Sequence, residues 1–166
     1  MAQQIDRAAS ETGVIYCLVG GLAVAHYANP PVTVDADFLI GGGSSQLEDL
    51  RMAMGPAWRA TPLAFASRLQ GMPRRGYTLR ARDDRLQIDL LASGMDEFLD
   101  SAVVDAQGNL LVVGAVAIPV MRAEELVVMK SLMGREKDIE DIVAIYEAVG
   151  SSLNTVKIDA LLEKLI

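Results

Sequence analysis

Two aspartates stand two residues apart in the segment VTVDADFLI (32–40). The alternation of this segment predicts a β-strand, so Asp35 and Asp37 project from one face and their apolar neighbours from the other. Two like charges on one face of a sheet repel each other unless water or a cation lies between them. A hard divalent cation such as Mg²⁺ suits the pair, because it takes a few carboxylates together with waters and substrate phosphates.

A third aspartate fits the same chemistry. Asp89 lies within RLQIDLLA (85–92), a second predicted strand, on the face opposite Ile88 and Leu90. An acid within an apolar strand costs several kcal/mol of desolvation unless it is paired or bound to a metal. Three carboxylates on adjacent strands could hold two ions about 3.5–4 Å apart, which is the spacing of a two-metal phosphoryl-transfer site. The alternative is that the first two acids lie on a solvated edge and that Asp89 pairs with an arginine.

A pair of glycines, Gly20 and Gly21, follows the predicted strand VIYCLV (14–19) and opens a predicted helix. Glycine lets the backbone approach a ligand closely, and the first turn of a helix offers free amide groups to a phosphate. A tight turn between strand and helix is the simpler interpretation. The position of the pair, about a dozen residues before the acidic strand, favours a phosphate site.

The remaining pattern predicts the elements that hold these residues. β-Branched and aromatic runs predict strands, and apolar residues at helical spacing predict helices. Ser45 and Glu48 form a capping-box pattern at the start of one helix. The predicted strands cover 14–19, 32–40, 77–82, 85–92 and 110–120, and the predicted helices cover 2–11, 21–28, 45–54, 122–134, 136–150 and 154–166. This order predicts an α+β fold: a mixed sheet carrying the Asp-x-Asp pair, flanking helices and a C-terminal helical portion.

Composition narrows the functional classes. The 166 residues, 51% hydrophobic and 22% charged, predict a single domain over 1–166, with a sheet-containing core over 1–120 and helices over 121–166. A net charge of −7 argues against broad, non-specific nucleic-acid binding. One cysteine and one histidine exclude a disulfide framework, a cysteine zinc site and an HExxH site.

No membrane segment or signal peptide is expected. The longest apolar run, Val14 to Ala25, is too short to span a bilayer, and prolines follow it. The first residues lack a basic region followed by an apolar one. We therefore expect a cytoplasmic protein.

Three segments together resemble the minimal nucleotidyltransferase superfamily, which has the DNA-polymerase-β-like fold, and within it the AbiEii-type toxins of toxin–antitoxin systems. They are VGGLAVAHYANPPVTVDADFLI (19–40), IDLL (88–91) and VVMKSLMGREKDIEDI (127–142). Such proteins have a glycine-containing turn, a T-x-D-x-D strand, a later strand acid, a helical lysine and an R-x-K-D-x-x-D segment. Two departures stand out: Pro31 where relatives often have Arg, and Gly21 where many active transferases have Ser.

The resemblance implies Mg²⁺-dependent transfer of a nucleoside monophosphate from an NTP to an acceptor, with loss of pyrophosphate. It implies that two Mg²⁺ ions bind between the acids, and that RNA, a protein side chain or a small hydroxyl compound is the acceptor. An antitoxin is the implied protein partner, and no membrane is involved. The residues carried over are the metal-binding and catalytic acids Asp35, Asp37 and Asp89, and the nucleotide-binding Gly20, Gly21, Thr33, Lys130, Arg135 and Asp138.

Residues 51–85 carry eight arginines against two acids, Asp83 and Asp84, and so have a local charge of +6. They lie between the two acidic strands, so a basic strip there could guide an RNA end or hold a triphosphate. Tyr77 is an aromatic residue among them that could stack on a base, whereas Trp58 is expected in the core. The alternative is a solvated face that balances the acidic remainder.

Two other functions stay open at this point. The chain could be a non-catalytic NTP-binding or protein-interaction module on the same fold, since Pro31 and Gly21 depart from the active pattern. It could also act as a scaffold through its helical end, by burying a stripe of apolar residues against a partner. That stripe comprises Ile139, Ile142, Val143, Ile145 and Tyr146.

Overall fold

The computed structural model describes residues 1–29, 33, 35–66, 73–83, 85–94 and 96–166. Side chains are described for all of these except residues 64–66 and 73–74. Several residues singled out in the sequence lie outside the described residues. They are Pro31, Val34, Arg68 and Asp84.

One mixed sheet of five strands organises the described chain, in the order β1-β2-β5-β4-β3. Strands β2 and β5 run parallel, and every other neighbouring pair in this sheet is antiparallel. The strands are β1 (Tyr16–Val19), β2 (Ala36–Ile40), β3 (Trp58–Ala66), β4 (Pro73–Ala81) and β5 (Gln87–Ala92). The two strands with predicted acids are therefore direct neighbours, although about fifty residues separate them in the chain.

Seven helices and a short hairpin complete the described fold. The helices are α1 (Ala2–Thr12), α2 (Gly20–Tyr27), α3 (Ser44–Ala53), α4 (Glu97–Ala106), α5 (Ala123–Met133), α6 (Glu136–Val149) and α7 (Thr155–Leu165), with a 3-10 turn at Gly150–Ser152. The hairpin is β6 (Leu110–Val113) and β7 (Val116–Pro119). This composition confirms the predicted α+β class with a mixed sheet and flanking helices.

The two faces of the sheet differ in character because side chains alternate along its strands. On β5, Ile88 and Leu90 are fully buried, whereas Gln87 and Asp89 on the other face are only half-buried. On β2, Phe38 is fully buried and Asp37 is half-buried. We call the face that carries Asp37 and Asp89 the acid face.

Helices cover the two faces unequally. Helix α2 packs over β1 and β2 on the acid face, and α5 and α6 pack against α2. Helix α3 packs on the opposite face against β4 and β5 and also contacts α1. The acid face is therefore covered by α2 over strands β1 and β2, and this is the side on which α5 and α6 lie near the acids.

Most predicted elements are confirmed, with four differences. Strand β3 and helix α4 were not predicted. The acidic strand begins at Ala36 in the described chain, so Asp35 directly precedes it. The predicted capping box was wrong: α3 begins at Ser44, and the Gln46 side chain accepts a hydrogen bond from the Gly43 amide at 3.0 Å.

The apolar stripe of α6 is split between core and surface. Ile145 is fully buried and Ile142 packs against the core. Ile139, Val143 and Tyr146 are 58%, 49% and 40% exposed. Two of the five residues of the stripe therefore pack against the core, and the other three are exposed. Within the described ranges, no helix has both the length and the apolar character needed to cross a bilayer.

Candidate active site

The sheet register places Asp37 directly beside Asp89 on the parallel pair β2–β5. The same row continues to Thr78 on β4 and to Thr61 on β3. The hydroxyl of Thr78 donates a hydrogen bond of 2.7 Å to Oδ1 of Asp89. In the described chain, the hydrogen-bond partner of Asp89 is thus a threonine and not an arginine, so the alternative interpretation of this acid does not hold.

Asp35, the third acid, also acts electrostatically on Asp37. Burial, the charge of Asp89 and the charge of Asp35 raise the pKa of Asp37 to about 6. Lys130 and Lys137 oppose that shift, so both cations also lie near the carboxylate. Three carboxylates that act on one another in this way form a negative centre, which is stabilised when a cation is bound.

Gly20 makes the close approach of helix α2 to this centre possible. Its φ of +68° is a left-handed conformation that side chains disfavour. A Cβ at this position would lie 2.0 Å from Oδ2 of Asp37, which is far too close for two non-bonded heavy atoms. The Asp37 carboxylate therefore packs directly against the backbone at the first turn of α2.

Gly21 is also crowded, but by Thr33. A Cβ on Gly21 would lie 3.0 Å from Cβ of Thr33 and 3.1 Å from its hydroxyl oxygen. The side chain of Thr33 therefore fills the space beside the glycine pair where a larger residue 21 would project. Four predicted site residues are thus brought to one spot: Gly20, Gly21, Thr33 and Asp37.

Lys130, which the resemblance assigns to nucleotide binding, is buried within the fold. Its Nζ lies 2.6 Å from Oδ2 of Asp141 and 3.4 Å from Oδ1 of Asp138. The Lys130 side chain is 4% exposed, and those of the two acids are 1% and 0% exposed. The cation is thus held inside the fold between α5 and α6, close enough to Asp37 to affect its pKa.

Asp138 joins this ion cluster to Arg135. Its carboxylate accepts hydrogen bonds from the Arg135 amide at 3.1 Å and from Nε at 2.7 Å. Burial alone would raise the pKa of Asp138, but the bonds from Arg135 and the charge of Lys130 outweigh it and hold that pKa below its ordinary value. Asp138 also caps the start of α6, because its carboxylate accepts a hydrogen bond from the amide of the N-cap residue Arg135. It therefore has a structural role whatever else it does.

The Arg135 side chain faces outward from the cluster and is 63% exposed. Its bonds to Asp138 raise its pKa, and the charge of Asp37 contributes to the same shift. Arg135 and the exposed Lys137 therefore place positive charge at the open side of the acids.

Asp141 and Lys137 were not predicted as site residues. Asp138 and Asp141 are three residues apart, which places them on one face of a helix, and this was the available signal. Acids near a helix start can also stabilise the helix dipole, which is one structural explanation for Asp141. The Oδ1 atom of Asp141 is buried without a hydrogen-bond partner in the described chain, so the dipole does not account for its burial.

Tyr77 does not face the site. It alternates with Thr78 and lies on the opposite face of the sheet, where its hydroxyl donates a hydrogen bond of 2.9 Å to Glu48. The guanidinium of Arg51 lies 5.2 Å from the centre of the Tyr77 ring. The predicted base-stacking role of Tyr77 is therefore wrong, whereas Trp58, which is 8% exposed, belongs to the core as expected.

The donor chemistry fits Mg²⁺ even though the described residues contain no group of three acids, histidines or cysteines close enough to form a complete ligand set. Mg²⁺ is usually held by one or two carboxylates, several waters and substrate phosphates, so a full protein cage is not required. Asp37 and Asp89 are neighbours in register, and the Asp37 carboxylate is packed against a glycine rather than paired with a cation in the described hydrogen bonds.

The family model described as nucleotidyl transferase of unknown function (DUF2204) matches residues 3–165. The chain belongs to this family. It is therefore an enzyme of the nucleotidyltransferase class, whose general reaction is transfer of a nucleoside monophosphate. No curated protein matches the sequence at a significant level.

Solved structures of other nucleotidyltransferases share the fold. The solution structure of the antibiotic-resistance factor ANT(2'')-Ia has a TM-score of 0.59 and 16% identity, covering 98% of this chain and 87% of that one. The crystal structure of ANT(2'')-Ia in complex with adenylyl-2''-tobramycin has a TM-score of 0.60 and 14% identity, covering 99% and 96%. At these identities the likeness establishes the nucleotidyltransferase fold, with its mixed sheet and flanking helices.

The glycine at the first turn of α2 can be tested with a matched control. Gly20→Ala and Gly13→Ala place a side chain at nearly the same φ, +68° and +69°, but a Cβ at Gly13 meets nothing within 4 Å. We expect Gly13→Ala to cost about 1–2 kcal/mol of unfolding free energy from the strained backbone alone. Gly20→Ala should cost clearly more, because it also displaces the Asp37 carboxylate. Urea denaturation measures both, and equal losses would contradict the close approach.

The buried lysine makes a second prediction. Lys130→Met leaves two buried carboxylates without their cation, so we expect a loss of about 3–5 kcal/mol in unfolding free energy. Lys137→Met, an exposed neighbour, should change it by less than about 0.5 kcal/mol. Denaturant titration of wild type and both variants at pH 7 measures these changes in unfolding free energy. A small effect at Lys130 would mean that the ion pair is open to water.

The raised pKa of Asp37 predicts a pH dependence in protein stripped of metal with EDTA. The unfolded carboxyl loses its proton near pH 3.8, whereas the folded one keeps it to about pH 6. The contribution of Asp37 to wild-type stability should therefore fall as pH rises through this window. Asp37→Asn does not titrate, so its melting temperature relative to wild type should rise between about pH 4 and 6 and then level off. A difference that is constant with pH would contradict the shifted pKa.

Proposed function

We propose that this chain is a Mg²⁺-dependent enzyme that transfers a nucleoside monophosphate from an NTP to a hydroxyl acceptor and releases pyrophosphate. The observation that carries the proposal is the pairing of Asp37 and Asp89 on adjacent parallel strands, directly against the first turn of α2. The carboxylates that we propose as metal ligands thus lie beside the amides that we propose as phosphate ligands. We further propose that residues 1–166 act as a single domain.

Asp35, Asp37 and Asp89 would hold Mg²⁺, two ions in the complete complex. Such ions would lower the pKa of the attacking hydroxyl and stabilise the negative charge on the leaving pyrophosphate. Asp89 lies on the side of the pair toward β4, where the acid face is not roofed by α2, so the acceptor hydroxyl approaches from that side. Thr78 fixes the orientation of Asp89 through its hydrogen bond.

The triphosphate would lie at the start of α2. The amides of Gly20 and Gly21 lie in the first turn of the helix, where N–H groups are free to bind phosphate oxygens. Thr33 supports this assignment because its hydroxyl oxygen lies 3.1 Å from where a residue-21 Cβ would be. We propose that Thr33 provides the hydroxyl that a serine at position 21 would otherwise contribute.

Positive charge for the phosphates would come mainly from Arg135 and Lys137, which are exposed and act on Asp37. Lys130 is enclosed by Asp138 and Asp141, so we assign it a positioning role: it neutralises the cluster and contributes a fixed positive field at Asp37. Asp138 then holds Arg135 in place. A direct contact of Lys130 with phosphate would require it to leave a 2.6 Å ion pair.

The resemblance to AbiEii-type toxins adds a cellular proposal: the enzyme acts in the cytoplasm, where NTPs are abundant, and a cognate antitoxin restrains it. Induced expression of wild type and Asp37→Asn in the same host tests this. Growth arrest by wild type alone supports a toxin. Growth that is equal for both variants at equal protein levels rejects the toxin role and leaves the transferase proposal intact.

Nucleotide binding is the decisive test of the transferase proposal. Thermal unfolding is measured with ATP, GTP, CTP and UTP, with and without Mg²⁺, for wild type and Asp35→Asn/Asp37→Asn. A ligand at 100 times its Kd stabilises by about 2.7 kcal/mol, which is a shift of a few degrees. We expect at least one NTP to stabilise wild type only with Mg²⁺, and the double variant to lose the effect.

Asp49→Asn is the matched control, because Asp49 is an exposed acid on α3, on the opposite face of the sheet. It should respond to nucleotide like wild type. If no NTP stabilises wild type, or if the double variant responds equally well, the metal–triphosphate site is rejected.

A further inference from the structure

A cavity of about 170 Å³ lies where helices α4, α5 and α7 meet. None of the residues that line it belongs to the proposed metal and phosphate sites. Helix α5 contributes Glu125 to the cavity, five residues before Lys130, so the two side chains leave this helix about 140° apart. Lys130 is directed to the acids of α6, and Glu125 to the space between α4 and α7. The cavity is therefore a separate feature of the fold.

Glu125 is a buried acid that the proposed reaction does not use, and it is only 3% exposed. Its Oε1 accepts a hydrogen bond of 2.5 Å from Nζ of Lys157. Its Oε2 is buried and has no hydrogen-bond partner in the described chain. The terminal torsion of a glutamate is broad, so a rotation of the carboxylate turns Oε2 toward the cavity. Because a buried oxygen without a donor costs free energy, this position favours a molecule that brings a donor to it.

The charges around the cavity leave one acid in excess, because three carboxylates and two lysines line it. Nζ of Lys164 lies 3.0 Å from Glu97. Nζ of Lys157 lies 2.5 Å from Glu125 and 3.9 Å from Asp105. Both lysines are thus engaged with acids of the lining, and a molecule in the cavity meets a net negative charge of one. A monocation is the ligand that balances this charge.

The rest of the lining favours an organic cation over a metal ion. Phe98 and Ala102 of α4 and Leu161 and Leu165 of α7 contribute apolar side chains to the cavity. The described residues contain no group of three acids, histidines or cysteines that could hold a metal ion. A cavity of about 150 Å³ can hold benzene, so a molecule of about six to eight non-hydrogen atoms fits this one. The site therefore suits a small amine with an apolar body.

We infer that this cavity binds a small organic ammonium ion, whose charged nitrogen donates a hydrogen bond to Oε2 of Glu125 while its apolar part packs between Phe98 and Leu161. The inference does not rest on the proposed transferase reaction, because the cavity shares no residue with that site. The ion pair of Lys164 with Glu97 joins α7 to α4 and is largely exposed. A ligand in the cavity adds a buried contact between the same helices and therefore stabilises the fold.

Benzylamine, which is protonated at pH 7, is the probe, and benzyl alcohol and benzoate are controls of similar size and shape. Titration of the ¹⁵N-labelled protein, followed by NMR, gives both the Kd and the residues whose amide signals move. We expect benzylamine to move the signals of Phe98, Ala102 and Leu161 and to leave those of Gly20 and Gly21 in place. Benzyl alcohol should bind at least about tenfold more weakly, because it brings no positive charge to the carboxylate, and benzoate should not bind.

Ser101→Phe tests the place of binding. Ser101 is an exposed residue of the lining, so a larger side chain there fills the cavity mouth and leaves the charged residues unchanged. Val104→Phe is the matched control, because Val104 is exposed on the same helix but does not line the cavity. We expect Ser101→Phe to raise the Kd for benzylamine at least about tenfold, and Val104→Phe to stay within about twofold of wild type.

Glu125→Gln tests the group that is recognised, with Glu163→Gln, an exposed acid of α7 outside the lining, as its control. Glu125→Gln should bind benzylamine at least about tenfold more weakly, and Glu163→Gln like wild type. If Glu125→Gln does not fold, the three probes and Ser101→Phe decide. Absence of benzylamine binding, equal affinity for benzyl alcohol, or signal changes confined to another part of the chain overturns the inference. Wild-type affinity in Ser101→Phe also overturns it.

Discussion

The carboxylate of Asp37 occupies the space that a side chain on residue 20 would need. This single contact joins the strand that carries the acids to the helix that would receive the phosphates. It requires glycine at position 20, the left-handed turn there and the antiparallel pairing of Val19 with Asp37. The rest of the site is built outward from it, because β5 pairs with β2 in register and α2 supports α5 and α6.

The charges around that contact connect it to α5 and α6, which lie far along the chain but carry cations that act on Asp37. Three acids near one another would raise one another's proton affinity and weaken the fold. The buried lysine of α5 and the exposed cations at the start of α6 oppose this, as the pKa of Asp37 shows. A buried ion pair contributes little net stability over an apolar alternative, but breaking it costs several kcal/mol. Lys130 and Asp141 thus join α5 to α6, and Asp138, the other partner of Lys130, binds Arg135.

Local patterns were sufficient for the parts of the site that depend on alternation and turns. Asp37 and Asp89 were predicted on sheet faces because every second residue beside them is apolar, and Gly20 was predicted at a turn because it separates a strand from a helix. Strand β3 was missed because Pro62 interrupts its pattern, and an edge strand is where a proline is tolerated. Helix α4, capped by Asp96, was missed between two glycine-containing loops.

Longer-range features could not be predicted from the sequence. The partnership of Lys130 with Asp141 joins residues eleven positions apart across a turn, and nothing in either local pattern specifies it. The face on which each arginine of 51–85 lies depends on the pairing of β3 with β4. That pairing separates Arg80 from Arg75, although both stand in one basic stretch. Charge density alone therefore marks the segment but does not show which of its side chains face the acids.

The order of strands has a consequence for how such an enzyme can change its substrate over evolutionary time. The β3–β4 ribbon lies at the outer side of the sheet, and the Thr78 side chain donates a hydrogen bond from this ribbon to the acid pair. Its outward side chains are exposed, so they can be exchanged without repacking the core beneath Asp37 and Asp89. In the proposed enzyme, catalysis would depend on the acids of β2 and β5, and the choice of acceptor would depend on the neighbouring ribbon. Descendants of a common ancestor could keep the reaction and recruit new acceptors by altering one hairpin.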